Sequence, residues 1–351
     1  MMSIELSWIR RLSKHGVVVL LLPFSFSLMA QDGPLKVCAT VPELGAMVKA
    51  VGGNEVDVTT FAKGSQDPHF LEARPSFIKA LSAADLYLQC GLELESAWAP
   101  ALLENARNGK VLPGAKGYLD ASSVVTPRGV TTGGVDRSLG HVHPLGNPHF
   151  LLDPVNGLKV ARAIRDRLIA LRPEKKESFE KRHDDFSRRL KEALVGEKLA
   201  TKYDPEKIAT LGEYGKLEEF LESQNDSELL GGWLGRMARL RGTRVVAEHN
   251  TWLYFSERFG LEVIGFLEPK PGISPTTKHL LELVKEMKAS GARGILTVPY
   301  FDRRHSRFVA QETGAIVIPL AHQVGARPGT DDYISMLENN VRQIEKALKV
   351  E

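Results

Sequence analysis

Short apolar runs alternate with amphipathic stretches through most of this chain. LKVCATV (35–41), EVDVTTFA (55–62) and DLYLQCG (85–91) are largely apolar runs of strand length. Between them, PELGAMVKAVG and RPSFIKALSAA space their apolar residues as helices do, and LESAWAPALLENAR continues the helical pattern. Strands alternating with helices predict βαβ units and a parallel sheet. Residues 113–149 lose this periodicity, are rich in Gly, Ser, Thr and Pro, and are expected to form a long surface loop. From residue 154 to about 199 the pattern is helical, broken at Pro173, and its second part is heavily charged with a sparse apolar stripe. Such a helix is usually exposed over much of its surface. At 1.5 Å per residue, about 25 residues span roughly 38 Å, enough to bridge two lobes. Beyond it KIATLG, TRVVAEH, LEVIGFL, GILTVP and AIVIPL read as strands. TWLYFSERFG, TTKHLLELVKEMKASG and SRFVAQETG read as the helices between them, and YISMLENNVRQIEKALK closes the chain as an amphipathic helix. No internal sequence repeat is present.

The expected fold class is therefore α/β, with two lobes that each carry a mostly parallel sheet flanked by helices, joined by one long rigid helix. The boundaries that follow are an N-terminal lobe at 31–172, a connecting helix at 173–200 and a C-terminal lobe at 201–351. A length of 351 residues suits two domains. With 43% hydrophobic and 25% charged residues the chain is globular in composition, and a net charge of +3 gives no case for nucleic acid.

The first thirty residues stand apart. Arg10, Arg11 and Lys14 precede an apolar run that ends at Ala30, the pattern of a secretory signal peptide. Pro23 and the short run argue against a spanning helix. Residues 1–30 are expected to be removed, leaving a soluble periplasmic protein. Export permits a disulfide between Cys38 and Cys90, and the plainer reading is two small buried residues on neighbouring strands.

The chemistry lies in the histidines, of which there are ten. His183, His279 and His305 sit on charged or helical stretches and read as surface residues. Four others share a different setting. His69 lies in DPHFLEARPS, His149 in NPHFLLDP, His249 in VVAEHNTW and His322 in IPLAHQVG. Each is placed near the edge where open parallel sheets bind ligands, two from each lobe. Neutral imidazole suits zinc, which takes four ligands in a tetrahedron. His141 and His143 in GHVHPLG form a separate His-x-His, either a weak capture site or a solvated loop. Their loss is expected to affect equilibrium affinity little.

At these residues the sequence resembles the metal-binding solute receptors of ABC importers, the zinc- and manganese-type cluster A-I family. DPHFLEARPSFIKALSAADLYLQCGLELE is similar to the family's first-ligand segment, NPHFLLDP to its second, VVAEHNTWLYFSERFGLEVIGF to its third, and PLAHQVGA sits where the fourth is expected. The resemblance implies metal held between two lobes by His69, His149, His249 and His322. It also implies Zn2+ as the transported ligand (Mn2+ as the alternative) and a membrane permease as partner. The chain is expected to be a monomer that binds no nucleic acid. The family often has a carboxylate at the fourth position, and Asp302 and Glu268 are the alternatives there. Residues 201–240 look like an insertion, with Trp233 as core packing. The rivals are a zinc-dependent hydrolase and a metal-binding adhesin. No H-E-x-x-H, G-x-S-x-G or Walker loop supports an enzyme, and Glu72 and Glu248 are as well suited to orienting histidines.

Overall fold

The predicted strands pair into two separate parallel sheets. A computed structural model describes residues 33–130, 143–268 and 273–349; the expected signal peptide and His141 lie outside them. In the first sheet β1 (Leu35–Ala39), β2 (Val56–Thr60), β3 (Leu86–Gln89) and β4 (Tyr118–Asp120) are ordered β2-β1-β3-β4. In the second, β5 (Arg244–Ala247), β6 (Glu262–Phe266), β7 (Gly294–Thr297) and β8 (Ile316–Pro319) are ordered β6-β5-β7-β8. Every pairing is parallel, with Val37 opposite Val58 and Leu86, and Val246 opposite Ile295. The interior strands β1, β3, β5 and β7 are the buried apolar runs, whereas β2 and β6 at the edges are partly exposed. Strands covered on both faces by helices require that pattern.

The helices of the first half are α1 (Pro42–Gly52), α2 (Pro75–Ser82), α3 (Ala99–Ala106) and α4 (Pro154–Leu171). Pro stands at the first or second position of each, where its fixed φ helps and its missing N–H costs nothing. The expected connecting segment contains α5 (Lys176–Val195), entered through a 3-10 turn at Pro173–Lys175 and left through Gly196 into α6 (Glu197–Lys202). The sparse stripe of α5 is fully used. Phe179, Phe186, Leu190 and Leu194 are buried, and the helix packs on α1, α4 and α6. His183 is buried there too, with Nδ1 3.0 Å from Asp184 Oδ1, so its expected surface position is corrected.

Two further expectations are revised. KIATLG is not a strand; it lies in α7 (Pro205–Glu213), where the Asp204 side chain accepts from Glu206 N and Pro205 opens the first turn. That Asp-Pro start outweighs a short apolar run. β4 lies inside the stretch read as loop, and its three residues are too few to show a period. The remaining helices are α8 (Leu217–Ser223), α9 (Gly232–Ala238), α10 (Leu253–Phe259), α11 (Thr277–Ser290), α12 (Arg303–Thr313) and α13 (Tyr333–Leu348). Trp233 on α9 is 1% exposed and donates to Glu338 Oε2 at 2.8 Å, in keeping with core packing. Tyr333 opens α13 and donates to Leu151 O at 2.6 Å, tying the last helix to the segment after His149. Cys38 and Cys90 are buried free thiols, and burial pushes the Cys38 thiol up to about 12. No helix among the described residues is long and apolar enough to cross a membrane.

Candidate metal site

Two of the predicted histidines are set by the same local device. Asp67 Oδ1 accepts from the backbone N–H of His69 at 3.0 Å, and Asn147 Oδ1 accepts from that of His149 at 2.9 Å. The intervening Pro68 and Pro148 fix φ and offer no competing N–H, so Asx-Pro-His closes a tight turn. Asp67 has a second role, because the same oxygen lies 2.7 Å from His69 Nδ1. A carboxylate there keeps the proton on Nδ1 and leaves the lone pair on Nε2, which is how proteins aim an imidazole at a metal. Burial alone would raise the Asp67 carboxyl, but the bonds and charge of His69, helped by His322, hold it below its usual range. Asn147 also donates from Nδ2 to Asn250 O at 2.6 Å, so one side chain fixes the His149 turn to the residue after His249.

The imidazoles gather around His69. Its ring lies 5.3 Å from that of His149 and 5.1 Å from that of His143, and the Nε2 atoms of His69 and His143 are 3.1 Å apart. His143 is thus part of the cluster, correcting the reading that set it aside as a separate loop motif. Zn–N bonds of 2.0–2.1 Å give a tetrahedron with an edge of about 3.3 Å, close to this separation. His322 is 3% exposed and packs edge-on against Tyr300, ring to ring 4.9 Å. Burial, then the charges of His69, His249, His143 and His322, push His149 well below the usual histidine range. Burial carries His322 down to about 3; Asp67 opposes, and His69 and Arg327 add to the shift. Both rings are therefore neutral, the form that ligates a metal. His149 Nε2 and His322 Nδ1 have no hydrogen-bond partner among the described residues. A buried polar atom left so costs about 1–3 kcal/mol, which a bound cation would relieve. No group of three or more His, Cys, Asp or Glu among the described residues is arranged to hold an ion as it stands. The rings of His69, His143 and His149 lie side by side without converging on one point.

The candidate carboxylates are placed differently. Asp302 caps α12 and binds Arg304 Nε at 2.8 Å, and this pairing, Arg304's side chain foremost, lowers it to about 2. Glu248 is buried and accepts from Val298 N at 2.7 Å; burial raises its carboxyl to about 8, with Glu268 adding to the shift. Glu72 is exposed. Behind His149 and His322 lies a cavity of about 20 Å³ that Glu43, Cys90 and Gln323 also line, room for about one water. Sequence reasoning missed Asp67 and Asn147, although the Asx two residues before each histidine was there to be read.

The loops carrying His69 and His322 meet at Gly64. A Cβ there would stand 2.3 Å from Val324 O and 2.4 Å from Ala326 N. Those are backbone atoms, so Gly64→Ala must push the two loops apart. The expected cost is about 1–3 kcal/mol, as for other overpacked sites, with weaker metal binding. Thermal melting and metal titration check this; unchanged values for both would show that the approach of the loops is unimportant.

The sequence model of the ZnuA family, described as "Zinc-uptake complex component A periplasmic", matches residues 37–207 and 228–347. The "Iron ABC transporter substrate-binding lipoprotein MtsA" of Streptococcus pyogenes serotype M1 is 24% identical over 91% of this chain and 90% of its own length. The "Manganese ABC transporter substrate-binding lipoprotein PsaA" of Streptococcus anginosus is 26% identical over 90% and 89%. Among solved structures, a crystal structure of ZnuA superposes with a TM-score of 0.66 at 20% identity, covering 90% of this chain and 99% of that one. The laminin-binding protein Lmb of Streptococcus agalactiae gives 0.64 at 22% identity, covering 90% and 100%. These likenesses bear on the fold, and the family match spans both sheets. The chain belongs to the ZnuA family, the metal-binding solute receptors of ABC importers, and is not an enzyme.

Proposed function

We propose that this receptor captures zinc outside the cytoplasmic membrane, between its two sheets, and delivers it as a monomer to the permease of an ABC importer. The observation that carries the choice of metal is the donor set. The cluster is built from imidazoles, with Asp67 turned to His69 Nδ1 and Asp302 turned to Arg304. Nitrogen-rich ligation favours zinc over manganese, which prefers carboxylates and water. The family description names zinc while the named relatives are iron and manganese receptors, so the choice rests on the donor set. His69, His149 and His249 are the constant ligands in this reading. The fourth position is filled by His322, with His143 close enough to His69 to compete for it. Residues 1–30 act as the export signal, and the lobe boundaries at 172 and 200 frame α5 as the rigid connection. The test is metal analysis of protein purified without added metal, with chelator competition for zinc and manganese. Zinc at one equivalent and tighter binding of zinc support the reading; a preference for manganese or iron would overturn it.

A further inference from the structure

We infer that the inserted segment 208–227, which the family match skips, holds the second and third histidine loops together through Glu213, making Glu213 a positioning residue for metal retention. This rests on the metal-receptor reading above.

Glu213 ends α7, and its carboxylate lies 3.1 Å from Arg258 Nη1 and also pairs with Arg128. Arg258, on the helix that follows the His249 loop, has a side chain only 4% exposed. Its Nε and Nη2 donate to the two oxygens of Asp153, each at 2.8 Å, and Nη1 donates to Ala209 O at 2.7 Å. Ala209 and Glu213 both belong to the insertion. Asp153 stands four residues beyond His149 and caps α4. The second cation, Arg128, reaches the same loops by its backbone. Its O accepts from Asn147 N at 2.7 Å, and its N–H donates to Tyr254 Oη at 2.9 Å. Tyr254 in turn donates to Asn147 O at 3.1 Å. Asn147 is the side chain that holds both His149 N and Asn250 O.

Glu213 is thus the shared counter-ion of two guanidiniums whose other contacts include Asp153 beyond His149, Asn147 before it, and Tyr254 and Glu257 on the helix after His249. Without its charge, Arg258 keeps Asp153 and Arg128 keeps the more exposed Glu257, but the two cations lose the carboxylate they share and repel each other more strongly. The loops keep their direct bonds through Asp153 and Asn147 but lose the charge that holds the two arginines side by side, and a bound ion leaves sooner.

The test uses the full chain loaded with zinc and mixed with excess chelator. Glu213→Gln is expected to release zinc about 10-fold faster, the lower end of what outer partners of metal ligands contribute. Its association rate should be unchanged. Glu213→Asp, which keeps the charge, should recover much of the retention, and Glu219→Gln, an exposed change on α8, should behave as wild type. Arg128→Gln combined with Glu213→Gln should add less than the sum of the two effects, as expected of groups in one network. Wild-type release from Glu213→Gln, whether or not the metal-free protein melts lower, overturns the inference. A wild-type protein that holds no zinc against the chelator overturns the receptor reading instead.

Discussion

Replacing His149 with alanine is expected to weaken zinc binding by about 100-fold while leaving the metal-free protein nearly as stable as before. The magnitude follows from sharing. Structural zinc sites gain about 10–16 kcal/mol in total, so one of four ligands carries roughly 3 kcal/mol, about two decades of affinity. The stability half follows from the free state. His149 is buried and its Nε2 has no partner among the described residues. Deleting the ring therefore removes a buried, unsatisfied nitrogen together with some packing, and these effects oppose each other. Zinc should then give the variant much less thermal protection, by about 2.7 kcal/mol for a hundredfold loss at saturating metal. Chelator competition and melting with and without zinc measure both halves. A loss below about 3-fold, small beside the 10–100-fold typical of even outer partners, would remove His149 from the ligand set.

The second large effect is expected only from a pair. In the proposed site five imidazoles would compete for the four positions of a zinc ion, since His149 feels the charge of His69, His143, His249 and His322. His143 Nε2 is already 3.1 Å from His69 Nε2, and His322 is buried on the other flank against Tyr300. Each can complete the shell when the other is gone. His143→Ala or His322→Ala alone should cost only about 2-fold, whereas the double variant should lose about 100-fold, far more than the sum of the single effects on a logarithmic scale. X-ray absorption should count four imidazoles in wild type and in both single variants, and three in the double. A single variant that loses as much as the double would assign the fourth position to that residue alone.

The architecture was legible because its signals are long. Continuous apolar runs such as LKVCATV and GILTVP can only be interior strands, and Pro and Asx punctuation marks where helices begin. What was misread is local or long-range. The Asp204-Pro205 start turned KIATLG into α7, and β4 is too short to carry a period. His183 looked solvated because its neighbours are charged, yet α5 turns that one face inward. In the site, His69 and His149 were singled out by their place near the ligand-binding edge of the sheet, while the Asx-Pro-His turns that set them went unread. His143 was not, since nothing in GHVHPLG tells that its ring comes to rest on a histidine 74 positions earlier. Nor does sequence order show that Glu213 and Arg128 meet, because ion pairs across 85 positions are made by the fold alone.

The two sheets share one strand order, β2-β1-β3-β4 and β6-β5-β7-β8, although no repeat is visible in the residues. Topologically, β1 corresponds to β5, β2 to β6, and β4 to β8. The molecule is a pseudo-duplicate whose halves have specialised unequally. The turn after β2 carries His69, whereas Glu268 follows its counterpart β6; His249 follows β5, whereas Thr40 follows β1. Histidines come after both β4 and β8, namely His149 and His322. Of the five clustered imidazoles among the described residues, the first half offers His69, His143 and His149 and the second His249 and His322. In the proposed site a shell of four drawn from these rings spans the seam, so a substitution that loosens the two halves is expected to act on coordination number before it acts on any single bond.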